Sequence, residues 1–359
     1  MAFDPTDPST RDHLVTLLGN DRDRIADLYA DSCDGTSGAL ATDAESRTRN
    51  ALDAREHLNH LTEALHIGRE GVFINYAEWA GAIRVARGQP TASLAAAFQR
   101  LSALIAERVS KEDAAVVARV VTLGVARLAG DAAVPPSYLD ANAPLATLAA
   151  EFLRLLLLGD RRGASTLILD AVREGTRVED VYLHIFQRTQ REVGRLWQLN
   201  MVTVAQEHFC SAATQLVMSQ LYEHIFSARR VSRTLVAAST GGNLHEIGVR
   251  MVSDFFELAG WDTFFIGASS PTSTLLETVE ERVPDVVAIS ATMSYHVEEV
   301  RRLIGGLCEA RPSRMPFILV GGRPFTAEPE LWRTIGADAM ASDAAEAVRV
   351  ANLMMDGAA

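Results

Sequence analysis

The stretch TLVAASTGGNLHEIG, residues 234–248, decides how the C-terminal third of the chain is read. Residues 234–239 form an apolar run of strand length, the paired glycines break it, and a helical pattern opens near residue 246. Asn243-Leu244-His245-Glu246-Ile247-Gly248 therefore stands on the turn after a strand. A neutral imidazole is the commonest protein ligand for a transition metal, and a neighbouring polar group selects which ring nitrogen is left to bind. His245 offers that nitrogen, Asn243 lies within reach as its hydrogen-bonding partner, and Gly248 is expected to let the next helix start close against the sheet. By itself a histidine after a strand is more often a surface or satisfied loop residue, so its surroundings carry the reading.

Those surroundings are a regular α/β alternation. Strand-length apolar runs at 234–239, 263–266, 286–290, 317–320 and 337–341 alternate with helical patterns at 246–259, 273–282, 296–310, 328–335 and 343–355. Right-handed crossovers then give a parallel sheet covered on both faces, whose ligands sit beyond the carboxyl ends of the strands. Three features fall at those ends: His245 after the first strand, Ser290-Ala291-Thr292 after the third and Gly321-Gly322 after the fourth. They converge on one rim.

Upstream, residues 143–226 read as four helices at 145–158, 164–174, 178–197 and 204–226, broken at Gly159-Asp160, Gly175-Thr176 and Asn200-Met201. Thr203-x-x-Gln206 has capping-box spacing, so the last helix starts there and carries Glu207 and His208 in its first turns, where a carboxylate is electrostatically favoured. Trp197 closes the preceding helix, with nine residues between it and Glu207. Alone, these residues are a core aromatic at a helix end and a solvated first turn.

Together the segments support a resemblance. Residues 230–357 resemble a cobalamin-binding Rossmann-like domain built on D-x-H-x-x-G, S-x-L/T and G-G elements. The resemblance implies that His245 is the lower axial ligand to cobalt, that Ser290 and Thr292 hold the buried nucleotide tail, and that Gly321 and Gly322 leave room for it. Asn243 stands where the family has aspartate; an amide adds no negative charge, so the ligand should be less basic. Residues 143–226 are similar to the four-helix cap that precedes such domains in methionine synthase and in corrinoid methyl carriers. More narrowly, W-x9-E-H matches the cap of adenosylcobalamin-dependent light sensors, including the MerR-type repressors, which implies that Trp197 packs over the upper ligand, Glu207 bonds its ribose and His208 shapes the pocket. In the repressors a histidine follows the tryptophan; here that residue is Gln198, a poor cobalt ligand.

The first 130 residues read as helical, with candidates at 10–31, 44–68, 75–87, 91–108 and 111–129, then a Pro- and Ala-rich join from Gly130 to Pro144. His57, His60 and His66 share one helix, followed by Phe73, Tyr76 and Trp79; this is either an amphipathic helix with exposed histidines or the wall of a tetrapyrrole pocket. A globin-like helical domain (1–135), a four-helix cap (143–226) and a flavodoxin- or Rossmann-like parallel sheet (230–357) make a multidomain α plus α/β chain that resembles the photocobilins. That resemblance implies a light sensor binding adenosylcobalamin and biliverdin. Photolysis of the cobalt–carbon bond would change domain packing or oligomeric state. The expected partners are further copies in a light-dependent homo-oligomer and a separate effector, with signalling in place of catalysis. The alternative from another class is a corrinoid carrier that ferries methyl groups between methyltransferases.

Composition narrows the setting. A chain of 359 residues exceeds one ordinary core, 48% hydrophobic content is ample for burial, and a net charge of −12 argues against a polyanion partner. No helix-turn-helix with a basic face, membrane span or signal peptide is apparent, so nucleic acid and membrane are not expected partners and the cytoplasm is the expected compartment. Cys33, Cys210 and Cys308 are too scattered for a disulfide framework or a zinc cluster.

Overall fold

The computed structural model describes residues 8–33, 44–128, 135–226, 228–310, 314–328 and 330–357. The start of the proline- and alanine-rich join, at Gly130, lies outside them. The chain divides into two compact units, Met1–Val134 and Pro135–Ala359.

The first unit holds α1 (Pro8–Cys33), α2 (Ala44–Ile67), α3 (Glu70–Ala86), α4 (Thr91–Ala106) and α5 (Lys111–Leu128). Helix α3 begins five residues earlier than its aromatic pattern predicts. Gly68, at φ +70°, ends α2 by itself, and a new helix starts two residues later. The core gathers Leu58, Phe73, Tyr76, Phe98 and Val117.

The second unit opens with α6 (Ala146–Leu157) and α7 (Arg161–Arg173). A continuous helix then runs through α8 (Val178–Asp180), a π-helical stretch Val181–Phe186 and α9 (Gln187–Gln198). After it come α10 (Val204–Gln220) and the short α11 (Tyr222–Ile225). Asp160 caps α7 by accepting from Gly163 N at 2.8 Å, and Thr203 with Gln206 closes the capping box of α10 as its spacing predicts. The expected single helix over 204–226 breaks at Leu221, whose fully buried side chain anchors in the helical core.

The sheet follows: β1 (Thr234–Thr240), α12 (Ile247–Leu258), β2 (Asp262–Ser270), α13 (Thr272–Arg282), β3 (Val286–Ser290), α14 (Val297–Ala310), β4 (Phe317–Gly321), α15 (Arg323–Ala327), α16 (Leu331–Thr334), β5 (Ala339–Ala341) and α17 (Ala344–Gly357). Its strands are all parallel, in the order β2-β1-β3-β4-β5. The order reverses between β1 and β3, and ligands of open α/β sheets bind at such a switch point. Two elements differ from the periodicity. A register shift between Ala237 and Ala238 accompanies a β2 longer than its apolar run, and an unexpected short helix with Pro324 in its first turn starts directly after Gly322, ahead of α16, which falls within the pattern at 328–335.

Helical cap and sheet are packed on one another. Phe152, Tyr182, Phe186 and Val217 of the cap share a core with Met251 and Phe255 of α12 and Ala344 of α17. Polar side chains cross the same joint: Tyr182 Oη donates to Asp254 at 2.8 Å, and Arg250 donates to Ser219 Oγ at 2.8 Å and to Tyr222 Oη at 3.0 Å.

Candidate cofactor site at the strand ends

Asn243 organises the turn after β1. It is fully buried, its amide nitrogen donates to the Ser290 carbonyl at 3.1 Å, and its Oδ1 accepts from His245 N at 3.2 Å. The bond to a carbonyl fixes which end of the amide is oxygen. That oxygen faces His245 Nδ1 at 3.3 Å and can only accept, so Nδ1 carries the hydrogen and Nε2 is the nitrogen left for a metal. Ser239 Oγ donates to the His245 carbonyl at 2.9 Å, while the ring itself is exposed. The loop is hydrogen-bonded where it meets the sheet and exposed where the imidazole projects.

The rest of the rim follows from register. Ser290 pairs with Ser239 on one side and Gly321 on the other, Gly321 pairs with Ala341, and Ala291 N donates to the Gly321 carbonyl at 3.0 Å. A Cβ on Gly322 would fall 1.9 Å from the Ala291 carbonyl oxygen, and the residue sits at φ +105°, so only glycine fits. The glycine pair thus serves first to close two strand ends on each other. Gly248 behaves differently from expectation: a Cβ there meets nothing within 4 Å, so the residue is not needed for helix–sheet approach and leaves an open surface beside His245. Thr292 is half-buried on the same rim.

On the cap, Trp197 is 36% exposed at the end of α9, next to the half-buried Gln198. Glu207 accepts from Ser211 Oγ at 2.9 Å and pairs with the exposed His208 at 2.7 Å, and Gln190 Oε1 shares the same Ser211 hydroxyl at the longer distance of 3.3 Å. Cys210 is buried, and burial followed by the Glu207 charge pushes its thiol up to about 11, which removes it as a nucleophile. Sequence reasoning passed over Glu246, Arg250 and Asp254. Their spacing of four on α12 was the available signal: it puts all three on one helical face, the one turned to the cap.

In the first unit two of the three histidines are core residues. His57 Nδ1 lies 2.6 Å from Tyr76 Oη, His60 stacks on Tyr76 at 3.7 Å, and both histidines are buried. Burial above all, with help from Arg84 and His60, holds His57 down to about 3, so it stays neutral in the core. His57 and His60 are thus not the exposed histidines of an amphipathic surface helix.

The donor set suits a macrocyclic cofactor. Among the described residues no group of three or more His, Cys, Asp or Glu side chains could hold a metal ion, so His245 offers a single axial nitrogen. A ring that brings its own equatorial donors needs no more.

Comparison with known proteins agrees. Residues 233–351 match the B12 binding domain model, and residues 148–222 match a second B12 binding domain model. The dimethylamine corrinoid protein 1 of Methanosarcina mazei is 32% identical over 124 residues, 34% of this chain and 56% of that protein, so this chain spans little more than half the length of that curated relative. The dimethylamine corrinoid protein 3 of the same organism is 30% identical over 130 residues, 36% of this chain and 76% of that protein. The chain belongs to the B12-binding corrinoid proteins. A solved Methanosarcina barkeri monomethylamine corrinoid protein shares the fold with a TM-score of 0.54 at 20% identity, covering 59% of this chain and 100% of its own. A corrinoid cofactor is therefore the ligand class.

Membership in this family also corrects the finer expectation. The relatives are named as corrinoid proteins of methylated amines, not as light sensors. This overturns the photoreceptor reading, and with it the light-dependent homo-oligomer and the signalling effector. The W-x9-E-H match lies in a segment that matches a B12 binding domain model, and that match does not distinguish a light sensor from other corrinoid proteins. Among the described residues no helix is long and apolar enough to cross a membrane.

Proposed function

We propose that this corrinoid protein is the methyl-carrying component of a methyltransferase system, with methylated amines as the substrate class to try first. The observation that carries this reading is the identity to dimethylamine corrinoid proteins, over a length matching a B12-binding segment. When bound, the corrinoid supplies a cobalt centre that takes up a methyl group and passes it on. His245 would hold it through Nε2, with Asn243 fixing the ring. Ser290, Thr292, Gly321, Gly322 and Gly248 would accommodate the lower side, and Trp197, Glu207 and His208 the upper. Catalysis then belongs to separate methyltransferases, and the carrier's task is to orient the cofactor and exclude water from its upper face.

Adenosylcobalamin is the narrower cofactor reading of Trp197 and Glu207, and a parallel titration with methylcobalamin compares the two upper ligands directly. Biliverdin forms no part of the proposal, since its residue-level support was the histidine cluster that the first unit buries. The test loads the protein with hydroxocobalamin, reduces it, and offers dimethylamine with a methyltransferase of that specificity. Methyl uptake by the wild type and its loss in His245→Ala are expected. Full loading with no methyl uptake from any methylated amine would sink the proposal.

A further inference from the structure

Glu246 follows the ligand histidine and caps α12, yet its side chain serves neither role. One carboxylate oxygen accepts from Gln215 Nε2 on cap helix α10 at 3.0 Å, and the other accepts from Ala268 N at the end of β2, also at 3.0 Å. The second contact depends on the irregularity in β2. Ala237 pairs with Phe265 but Ala238 pairs with Gly267, so one residue is skipped, and Gly267 at φ +100° turns the following N–H toward the carboxylate. A Cβ on Gly267 would lie 3.2 Å from Glu246 Oε2, which leaves little room for anything larger. The bulge and the glycine re-aim one backbone donor, and Glu246 uses it to brace itself while it grips the cap.

We infer that Glu246 is a positioning residue that joins the ligand loop to the cap, so that the seating of His245 and the closure of α10 form one equilibrium; this rests on the corrinoid reading of His245. Helix α10 also carries Glu207 and His208, and the covalent neighbour of Glu246 is His245. The Gln215–Glu246 bond is therefore a direct polar link between the loop that carries His245 and the helix that carries Glu207. Arg250 and Asp254, one and two turns further along α12, make further polar links across the joint that do not adjoin the loop.

The test uses the full chain with Gln215→Ala, Glu246→Ala, Glu246→Gln and the double alanine variant. Hydrogen exchange of α10 in the cofactor-free protein and the nitrogen-ligated fraction of cobalt in protein loaded with cob(II)alamin, read by electron paramagnetic resonance, are the two measurements. Each single alanine variant should speed exchange in α10 about tenfold, the worth of one charge-assisted hydrogen bond, and lower the nitrogen-ligated fraction. The double variant should do no more than either single, and Glu246→Gln, whose Oε1 still accepts from Ala268 N while its amide donates to Gln215 Oε1 once that side chain turns over, should lie between the wild type and the alanine variants. Faster exchange with an unchanged ligated fraction in Gln215→Ala, or additive effects in the double variant, overturns the inference alone. Absence of nitrogen ligation in the wild type overturns the assignment of His245 and this inference with it.

Discussion

Replacing Asp254 by asparagine should stabilise the cofactor-free protein near neutrality and leave it unchanged in mild acid. The Asp254 carboxyl is buried at the joint between α12 and the π-helical stretch Val181–Phe186, and burial raises it from 3.8 to about 6 against the opposing bond from Tyr182 and the charge of Arg250, with Glu257 adding to the rise. Because the folded protein binds this proton more tightly than the unfolded chain does, the stabilisation is complete below about pH 4 and is lost as pH rises through about 6. At pH 7.5 the folded state holds a poorly solvated carboxylate. A displacement of about two units corresponds to roughly 3 kcal/mol, and the weaker neutral bond from Tyr182 to an amide gives back about 1 kcal/mol of it. The net expectation for Asp254→Asn is about 2 kcal/mol of added stability at pH 7.5, shrinking toward zero or below at pH 4.5. Urea unfolding read by hydrogen exchange in 178–198 and 247–258 isolates this unit from the helical one. A difference that stays constant with pH, or a variant less stable at pH 7.5, would refute the account of Asp254 as a strained charge.

Three further outcomes follow from the rim and the cap. Asn243→Ala strips the partner from His245 Nδ1 and from the Ser290 carbonyl, so hydroxocobalamin should bind about 10- to 100-fold more weakly in a spectrophotometric titration. Gly322→Ala drives a Cβ against the Ala291 carbonyl at a left-handed φ and should cost about 3 kcal/mol or more, seen as a lowered unfolding temperature and loss of corrinoid binding. Thr203→Ala removes the cap of α10 and should cost about 1 kcal/mol, measured as faster exchange in the first turn that carries Glu207.

The alternation of strand and helix after residue 234, the helical cap, its capping box at Thr203 and the family resemblance carried by His245 were all legible in the chain, because each depends on local periodicity or on residues close in sequence. Even the pairing of Asn243 with His245 is a contact across two residues. Contacts made across long separations decided the rest. Gly322 needs to be glycine because of Ala291, thirty-one residues earlier; His57 and His60 are core groups because Tyr76 and Phe98 close over them; Gly248 faces open space although its position suggested tight packing. Glu246 could not be assigned before the bulge in β2 and the packing of α10 brought Ala268 and Gln215 to its two oxygens. Local patterns report which side chains a helix or strand presents, whereas the neighbour each one meets is settled only when the layers pack.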